Sequence, residues 1–177
     1  LERDGVALRG HSDTEVLLET IARDGLAACL PRLNGMFALA LWDRQAETLH
    51  LARDRFGEKP LYYGVLDGAL LFGSELKALV CLHGRTPALD RDALAAYFRR
   101  NYVPEPASIF DGVAKLPAGH LLSIARAALP TLPLSRAYWS LADEIERARP
   151  GATPMSDAQA LSAVHDTLSR AVEMRMV

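Results

Sequence analysis

Residues 36–42 read MFALALW, seven consecutive apolar residues between the turn signal Asn34-Gly35 and the polar run Asp43-Arg44-Gln45. The run is too short for a typical helix, and it has no hydrophilic face. It predicts a strand buried on both sides, in a sheet covered by other layers. Residues 43–47 then form a polar turn, and Thr48 to Asp54 alternate as the returning strand of a hairpin.

The next stretch, ARDRFGEKPLYYG at 52–64, places Arg53, Asp54 and Arg55 in a row before a tight corner at Gly57 to Pro60. On a strand, Arg53 and Arg55 share one face and Asp54 takes the other. Such charges can either touch a ligand directly or be bridged into a local set of ion pairs and backbone hydrogen bonds that fixes the corner. Their place at a strand end favours the second reading. Leu61 to Leu66 and Ala69 to Gly73 are two further strands joined at Asp67-Gly68, a two-residue hairpin signal. The four strands together predict an antiparallel meander. Val113 to Ile124 predicts a last hairpin, bent at Pro117-Ala118-Gly119, and Tyr138-Trp139 an edge or closing segment.

Helix signals lie on both sides of the strands. Ser12-Asp13-Thr14-Glu15 predicts a helix start with a capping box, followed by Val16, Leu17, Thr20 and Ile21 at helical spacing and a stop at Gly25. Ser74 is expected to cap a short helix over ELKALVCL, and Asp90 opens another over RDALAAYFRRN. From 141 to 155 the chain turns charged and then breaks at Pro150-Gly151 and Pro154, the composition of an inter-domain linker. Ser156 caps a new helix in which Leu161, Val164, Leu168, Val172 and Met176 repeat at steps of three or four. This apolar stripe has no local partner, so the helix is expected to belong to a following domain. The chain opens on Leu1 and closes at Met176-Val177 within that helix, so both ends read as cut.

Composition narrows the function. Half of the 177 residues are apolar, which allows a sizeable core. A net charge of -2 gives no reason to expect nucleic acid or an anionic membrane surface as partner. Only Lys59, Lys77 and Lys115 are lysines among 20 basic residues, a bias of composition rather than a binding surface. No apolar run approaches a membrane span and no signal peptide is visible, so the cytoplasm is the default compartment. Cys29 and Cys81 have no CxxC partner and sit among apolar neighbours, as simple thiols do. His11, His50, His83, His120 and His165 are scattered without ligand spacing, so no metal site is expected.

GHSDTEVLL at 10–18, LNGMFALALWD at 33–43, ARDRFGEKPLYYG at 52–64, GSELKAL at 73–79 and KLPAGHLL at 115–122 occur in an order and spacing that resemble the glutaminase domain of glutamine-hydrolysing asparagine synthetases. These are class II amidotransferases of the N-terminal-nucleophile hydrolase fold. The resemblance implies an α+β, four-layer αββα sandwich, incomplete here. It assigns residues 1–140 to the later part of the glutaminase domain, 141–155 to a linker, and 156–177 to the first helix of an α/β ATP-pyrophosphatase domain.

In such enzymes an N-terminal Cys attacks glutamine and releases ammonia, its own amine serving as base. The ammonia passes through a tunnel to a second domain, where ATP and Mg²⁺ activate aspartate. The resemblance therefore implies glutamine, aspartate and ATP as substrates and a homodimer. It places the nucleophile, an Asn-Gly-Glu segment and the pyrophosphate loop outside this chain, so that the fragment alone is expected to be inactive. Neither Cys29 nor Cys81 matches the nucleophile, and Asn34-Gly35 is not the oxyanion-binding pair. One functional residue carries over: Asp13 matches the aspartate that binds the α-amino group of glutamine, and a carboxylate at a helix start suits that task. Arg53, Asp54 and Glu75 could instead line the route toward the second domain. The alternatives to an asparagine synthetase are a relative with another acceptor, such as a sugar or a β-lactam precursor, and a catalytically silent glutamine-binding or structural module.

Overall fold

The structure, a computed structural model, describes residues 8–10, 12–151 and 154–176. The chain divides into two compact units, one ending at Ser140 and the other starting at Leu141.

The first unit is mixed α+β with two antiparallel sheets. Helix α1 (Asp13–Asp24) starts at Ser12, whose Oγ accepts from Thr14 N at 3.2 Å, and stops where the Gly25 N–H donates to Ile21 O at 2.8 Å. The capping box expected at its start does not close. The Glu15 carboxylate accepts instead from the Arg9 and Gly10 amides, at 2.7 and 2.9 Å, and so ties down the incoming chain. A short helix α2 (Leu26–Cys29) runs into a single 3₁₀ turn at Leu30–Arg32. Strands β1 (Ala38–Asp43) and β2 (Thr48–Arg53) form the expected hairpin, in register from Ala38 opposite Arg53 to Asp43 opposite Thr48. The Asp43 carboxylate accepts from the Gln45 and Ala46 amides at 2.8 and 2.9 Å and shapes the turn between them.

The four predicted strands do not form one meander. Strands β3 (Tyr62–Leu66) and β4 (Ala69–Gly73) pair with each other in a second sheet, joined at Asp67-Gly68 as expected. The last two core strands, β5 (Val113–Lys115) and β6 (His120–Ala125), are not a hairpin either. Strand β5 pairs with β3, and β6 with β2. With the short edge strand β7 (Arg136–Ala137), the sheet orders are β1-β2-β6-β7 and β4-β3-β5. The chain thus changes sheet at the 54–61 corner and again at 116–119.

The reason lies in the pleat. Leu49 and Leu51 of β2, Leu122 and Ile124 of β6, Tyr63 of β3 and Leu70 of β4 meet in one cluster with Leu61 and Leu116, so the sheets share a core. The alternate residues face away. Ala52 and Leu121 pack with Leu26, Leu30, Leu33 and Phe37, while Tyr62, Leu66, Leu71 and Val113 pack with Leu76 and Leu79 of helix α3 (Leu76–His83). Strands apolar on both faces therefore serve two interfaces each. Strand β1 departs from the expected full burial: it is half-buried, with Trp42 exposed, because among the described residues it has a neighbour on one edge only. At α3 the N-cap is Glu75 rather than Ser74, and no side chain caps it. Helix α4 (Arg91–Arg100) starts as expected at Asp90, whose carboxylate accepts from the Asp92 and Ala93 amides, both at 2.9 Å.

Arg53 and Asp54 hold the first corner. Asp54 is 2% exposed, and its carboxylate accepts four backbone amides: Phe56 and Glu58 at 3.2 and 2.9 Å on Oδ1, Lys59 and Phe37 at 3.0 and 3.3 Å on Oδ2. Its own amide donates to Phe37 O, and its carbonyl accepts from the Gly57 and Gly119 amides. Arg53, 5% exposed, donates to the carbonyls of Gly57, Lys59 and Leu116 and pairs with Glu105, whose other oxygen accepts the Ala118 amide. Gly57 has φ 65°, and a Cβ there would lie 2.8 Å from the Arg53 guanidinium, so this position requires glycine. Tyr138 closes the set by donating to Arg53 O at 2.7 Å, and burial pushes its phenol up to about 12.

In the second unit, α5 (Leu141–Ala148) ends in a 3₁₀ turn at Arg149–Gly151. Helix α6 (Asp157–Glu173) starts with a complete capping box: Ser156 Oγ accepts from Gln159 N at 3.3 Å, and Gln159 Oε1 accepts from Ser156 N at 2.9 Å. Its stripe of Leu161, Val164, Leu168 and Val172 is exposed, and the helix stops at Glu173, so that Met176, expected to continue the stripe, lies past its end.

Replacing Asp54 by Ala strands four amide donors in a closed corner. The expected cost is at least about 3 kcal/mol of unfolding free energy, measured by urea denaturation. The exposed control Leu134→Ala is expected to stay within about 0.5 kcal/mol of the parent.

Candidate functional site

A cleft of about 710 Å³ opens in the first unit between α1 and the 33–41 segment. Asp13, Thr14, Leu17, Leu18 and Ile21 line one wall, residues 33–41 the other, and Lys59 and Ser74 complete it. Its position follows from local structure. The Gly25 stop turns the chain back through α2, and the 33–37 segment is anchored where Phe37 exchanges hydrogen bonds with Asp54. The lining is apolar over most of its length, with a carboxylate at the start of α1 and an ammonium at the 54–60 corner.

Asp13 is the first residue of α1, and its Oδ1 accepts from Thr14 N at 2.7 Å and from Thr14 Oγ1 at 3.4 Å. These bonds orient the carboxylate, and the helix N-terminus favours its charge. An anionic group on the wall of a largely apolar cleft can pair an ammonium, the more so as water is displaced.

The other residues singled out in the sequence fall elsewhere. Arg53 and Asp54 are not on the cleft wall; they are buried in the corner behind it. Glu75 is exposed and pairs with Lys77 Nζ at 2.6 Å. Arg55 reaches outward, donating to Pro31 O at 2.6 Å and lying 5.9 Å from the Trp139 ring centre. Asn34 and Gly35 do line the cleft. His50 Nδ1 lies 2.8 Å from Ser123 Oγ, and burial lowers its imidazole below the usual histidine range. His120 Nδ1 lies 2.8 Å from Ala118 O, His83 lies 3.8 Å from Asp67, and His165 is exposed 3.6 Å from Asp166. His11 falls outside the described residues. Among the described residues no three His, Cys, Asp or Glu side chains gather to hold a metal ion. Lys59, Ser74 and Met36 line the cleft without having been singled out as site residues. Lys59 had one signal, its rarity in an arginine-rich chain, but the corner around it drew attention to Gly57 and Pro60.

The structure of glutamine phosphoribosylpyrophosphate amidotransferase from Bacillus subtilis, solved with ADP and GMP, has the same fold over 78% of this chain. It aligns with a TM-score of 0.54 at 21% identity, over 25% of that chain. That likeness is one of fold. The profile of the glutamine amidotransferase domain matches residues 1–139, and the chain belongs to that family. It is similar to two glutamine-hydrolysing asparagine synthetases of Bacillus subtilis strain 168. Asparagine synthetase 1 is 37% identical over 124 residues, covering 70% of this chain and 19% of that protein. Asparagine synthetase 3 is 34% identical over 148 residues, covering 80% and 23%. Amidase chry2 of Gibberella zeae is 32% identical over 114 residues, covering 64% and 16%. The chain thus spans about a fifth of the length of these curated relatives.

The two thiols differ in environment. Cys29 is fully buried, and burial pushes its thiol up, whereas Cys81 is exposed. A thiol reagent such as Ellman's is expected to titrate Cys81 alone in the native protein and Cys29 only after denaturation. Equal rates for both would place Cys29 at the surface.

Proposed function

We propose that this chain is part of a glutamine-hydrolysing, ATP-dependent asparagine synthetase and that the cleft beside α1 receives glutamine. The observation that carries the reading is Asp13: the residue matched to the glutamine-binding aspartate lies on the wall of a cleft, at the start of a helix. The carboxylate takes the α-ammonium of glutamine, and the apolar lining gives the methylene chain a dry surface.

The shared core of the two sheets, with helix residues on the outward clusters, supports a four-layer αββα arrangement of the N-terminal-nucleophile type. Residues 1–140 then belong to the glutaminase domain, 141–155 to the linker and 156–177 to the first helix of the synthetase domain. The exposed stripe of α6 is the face that the rest of that domain would cover. Catalysis rests on an N-terminal Cys of the parent enzyme, and ATP and Mg²⁺ act at the synthetase domain on aspartate; no residue described here is assigned to them. The parent enzyme works in the cytoplasm as a homodimer.

Asp13→Ala in the full-length enzyme is expected to raise the glutamine KM at least ~10-fold, as loss of a charge-assisted bond does. Synthesis from free ammonia is expected to continue at its normal rate. Steady-state kinetics with the two nitrogen donors checks this. An unchanged glutamine KM would remove Asp13 from the site.

A further inference from the structure

The end of the first unit is tied to the Arg53–Phe56 stretch residue by residue. The Tyr138 hydroxyl donates to Arg53 O at 2.7 Å. Asp54 O accepts from the Gly119 amide, and Gly119 O in turn accepts the Tyr138 and Trp139 amides at 2.8 and 3.3 Å. The Arg55 guanidinium lies 5.9 Å from the Trp139 ring centre, and the Phe56 ring meets the same indole edge-on, with centroids 5.1 Å apart at 61°. Arg55 is steadied from the other side by Pro31 O, which accepts from its Nη2 at 2.6 Å.

Two features make this a fastening of the chain rather than packing of the core. Phe56 is 63% exposed, so its ring adds little to the interior, yet it sits against Trp139. Gly119 has φ 66°, and a Cβ there would come within 2.5 Å of Trp139 O, so the 136–139 strap passes too close for any other residue. The place is the very end of the unit. Strand β7 pairs Arg136 with Leu121 and Ala137 with His120, Trp139 follows, and the second unit starts at Leu141. None of Arg55, Phe56, Tyr138 and Trp139 lines the cleft. The aromatic and cation–π contacts therefore act on where the chain leaves the unit, not on what the cleft holds.

We propose that Arg55 and Phe56 clasp Trp139 and moor the chain at its exit from the first unit, and that this mooring keeps glutamine hydrolysis in step with amide formation. A fixed exit confines the freedom of the linker to the residues after Trp139, whereas an open clasp frees the strap as well. The coupling half rests on the two-domain reading given above; the clasp itself does not. The third charge of the Arg53-Asp54-Arg55 run thereby has a task distinct from that of the buried pair.

The test uses the full-length enzyme carrying Phe56→Ala or Arg55→Ala, with Phe56→Tyr as the conservative variant and Leu134→Ala, in the loop before the strap, as control. Hydrogen exchange at the Tyr138 and Trp139 amides, read by mass spectrometry, is expected to quicken about 10-fold in the two alanine variants at positions 55 and 56. It is expected to keep the parent rate in Phe56→Tyr and Leu134→Ala. Asparagine formed per glutamine hydrolysed is expected to fall by roughly half in Phe56→Ala and Arg55→Ala, as a looser tether lowers the effective concentration of one site at the other. Glutaminase kcat/KM and synthesis from free ammonia stay at the parent level. Exchange at the parent rate in both alanine variants overturns the clasp. Quickened exchange with an unchanged product ratio overturns the coupling role and leaves a purely structural fastening. If the parent enzyme forms no asparagine from either nitrogen donor, the synthetase reading fails, and exchange alone decides the clasp.

Discussion

The Asp54 carboxylate is the interaction on which the first unit depends. A buried carboxylate is costly unless its oxygens are filled with donors, and here four backbone amides fill them. Those donors come from two stretches of chain, the segment leading into β1 and the corner after β2. A third, the 116–119 crossing, joins through the Gly119 amide on Asp54 O. Arg53 repeats the pattern with opposite sign, gathering carbonyls from the corner and from Leu116 and drawing in Glu105. Two adjacent side chains therefore bind every place where the chain passes from one sheet to the other. Polar groups that would otherwise be orphaned at these crossings find their partners in the pair.

The cleft is built on the same corner. The 33–37 segment, which forms a wall of the cleft, is fixed by Phe37 on Asp54, and the opposite charge of the cleft is carried by a residue whose backbone the pair grips. Of the three adjacent charges, Arg53 and Asp54 are thus taken up by backbone groups of the corner that carries the cleft wall. The Asp54 carboxylate is saturated by amides, whereas Asp13 and Lys59 lie on the cleft lining.

Much of this was legible in the sequence, and the failures have common causes. The β1–β2 and β3–β4 hairpins were readable because Asp43-to-Glu47 and Asp67-Gly68 are local turn chemistry. The assignment of hairpins to sheets was not. A strand apolar on both faces, like MFALALW, announces two packing interfaces but not which strand lies at its edge. The 116–119 crossing looked like a hairpin bend because Pro and Gly mark a change of direction without marking a change of sheet. Ser74 and Glu15 failed for a shorter-range reason: capping residues compete for nearby amides, and Glu15 found Arg9 and Gly10 first. Asp13 was singled out through a resemblance, and the fold puts it on the cleft wall. That Lys59 lines the cleft was not legible, because the exposure of a side chain depends on the long-range fold, whereas a Gly-x-Lys-Pro corner advertises only its backbone.

Native-state hydrogen exchange on the amides of Phe37, Glu58 and Lys59 tests the central claim most directly. If the Asp54 carboxylate closes the crossing between sheets, these loop amides are protected to the level of β2 and β6 core amides and exchange only with global unfolding. Exchange of the three amides by local opening, far ahead of the strands around them, would contradict the claim that the corner holds the two sheets together.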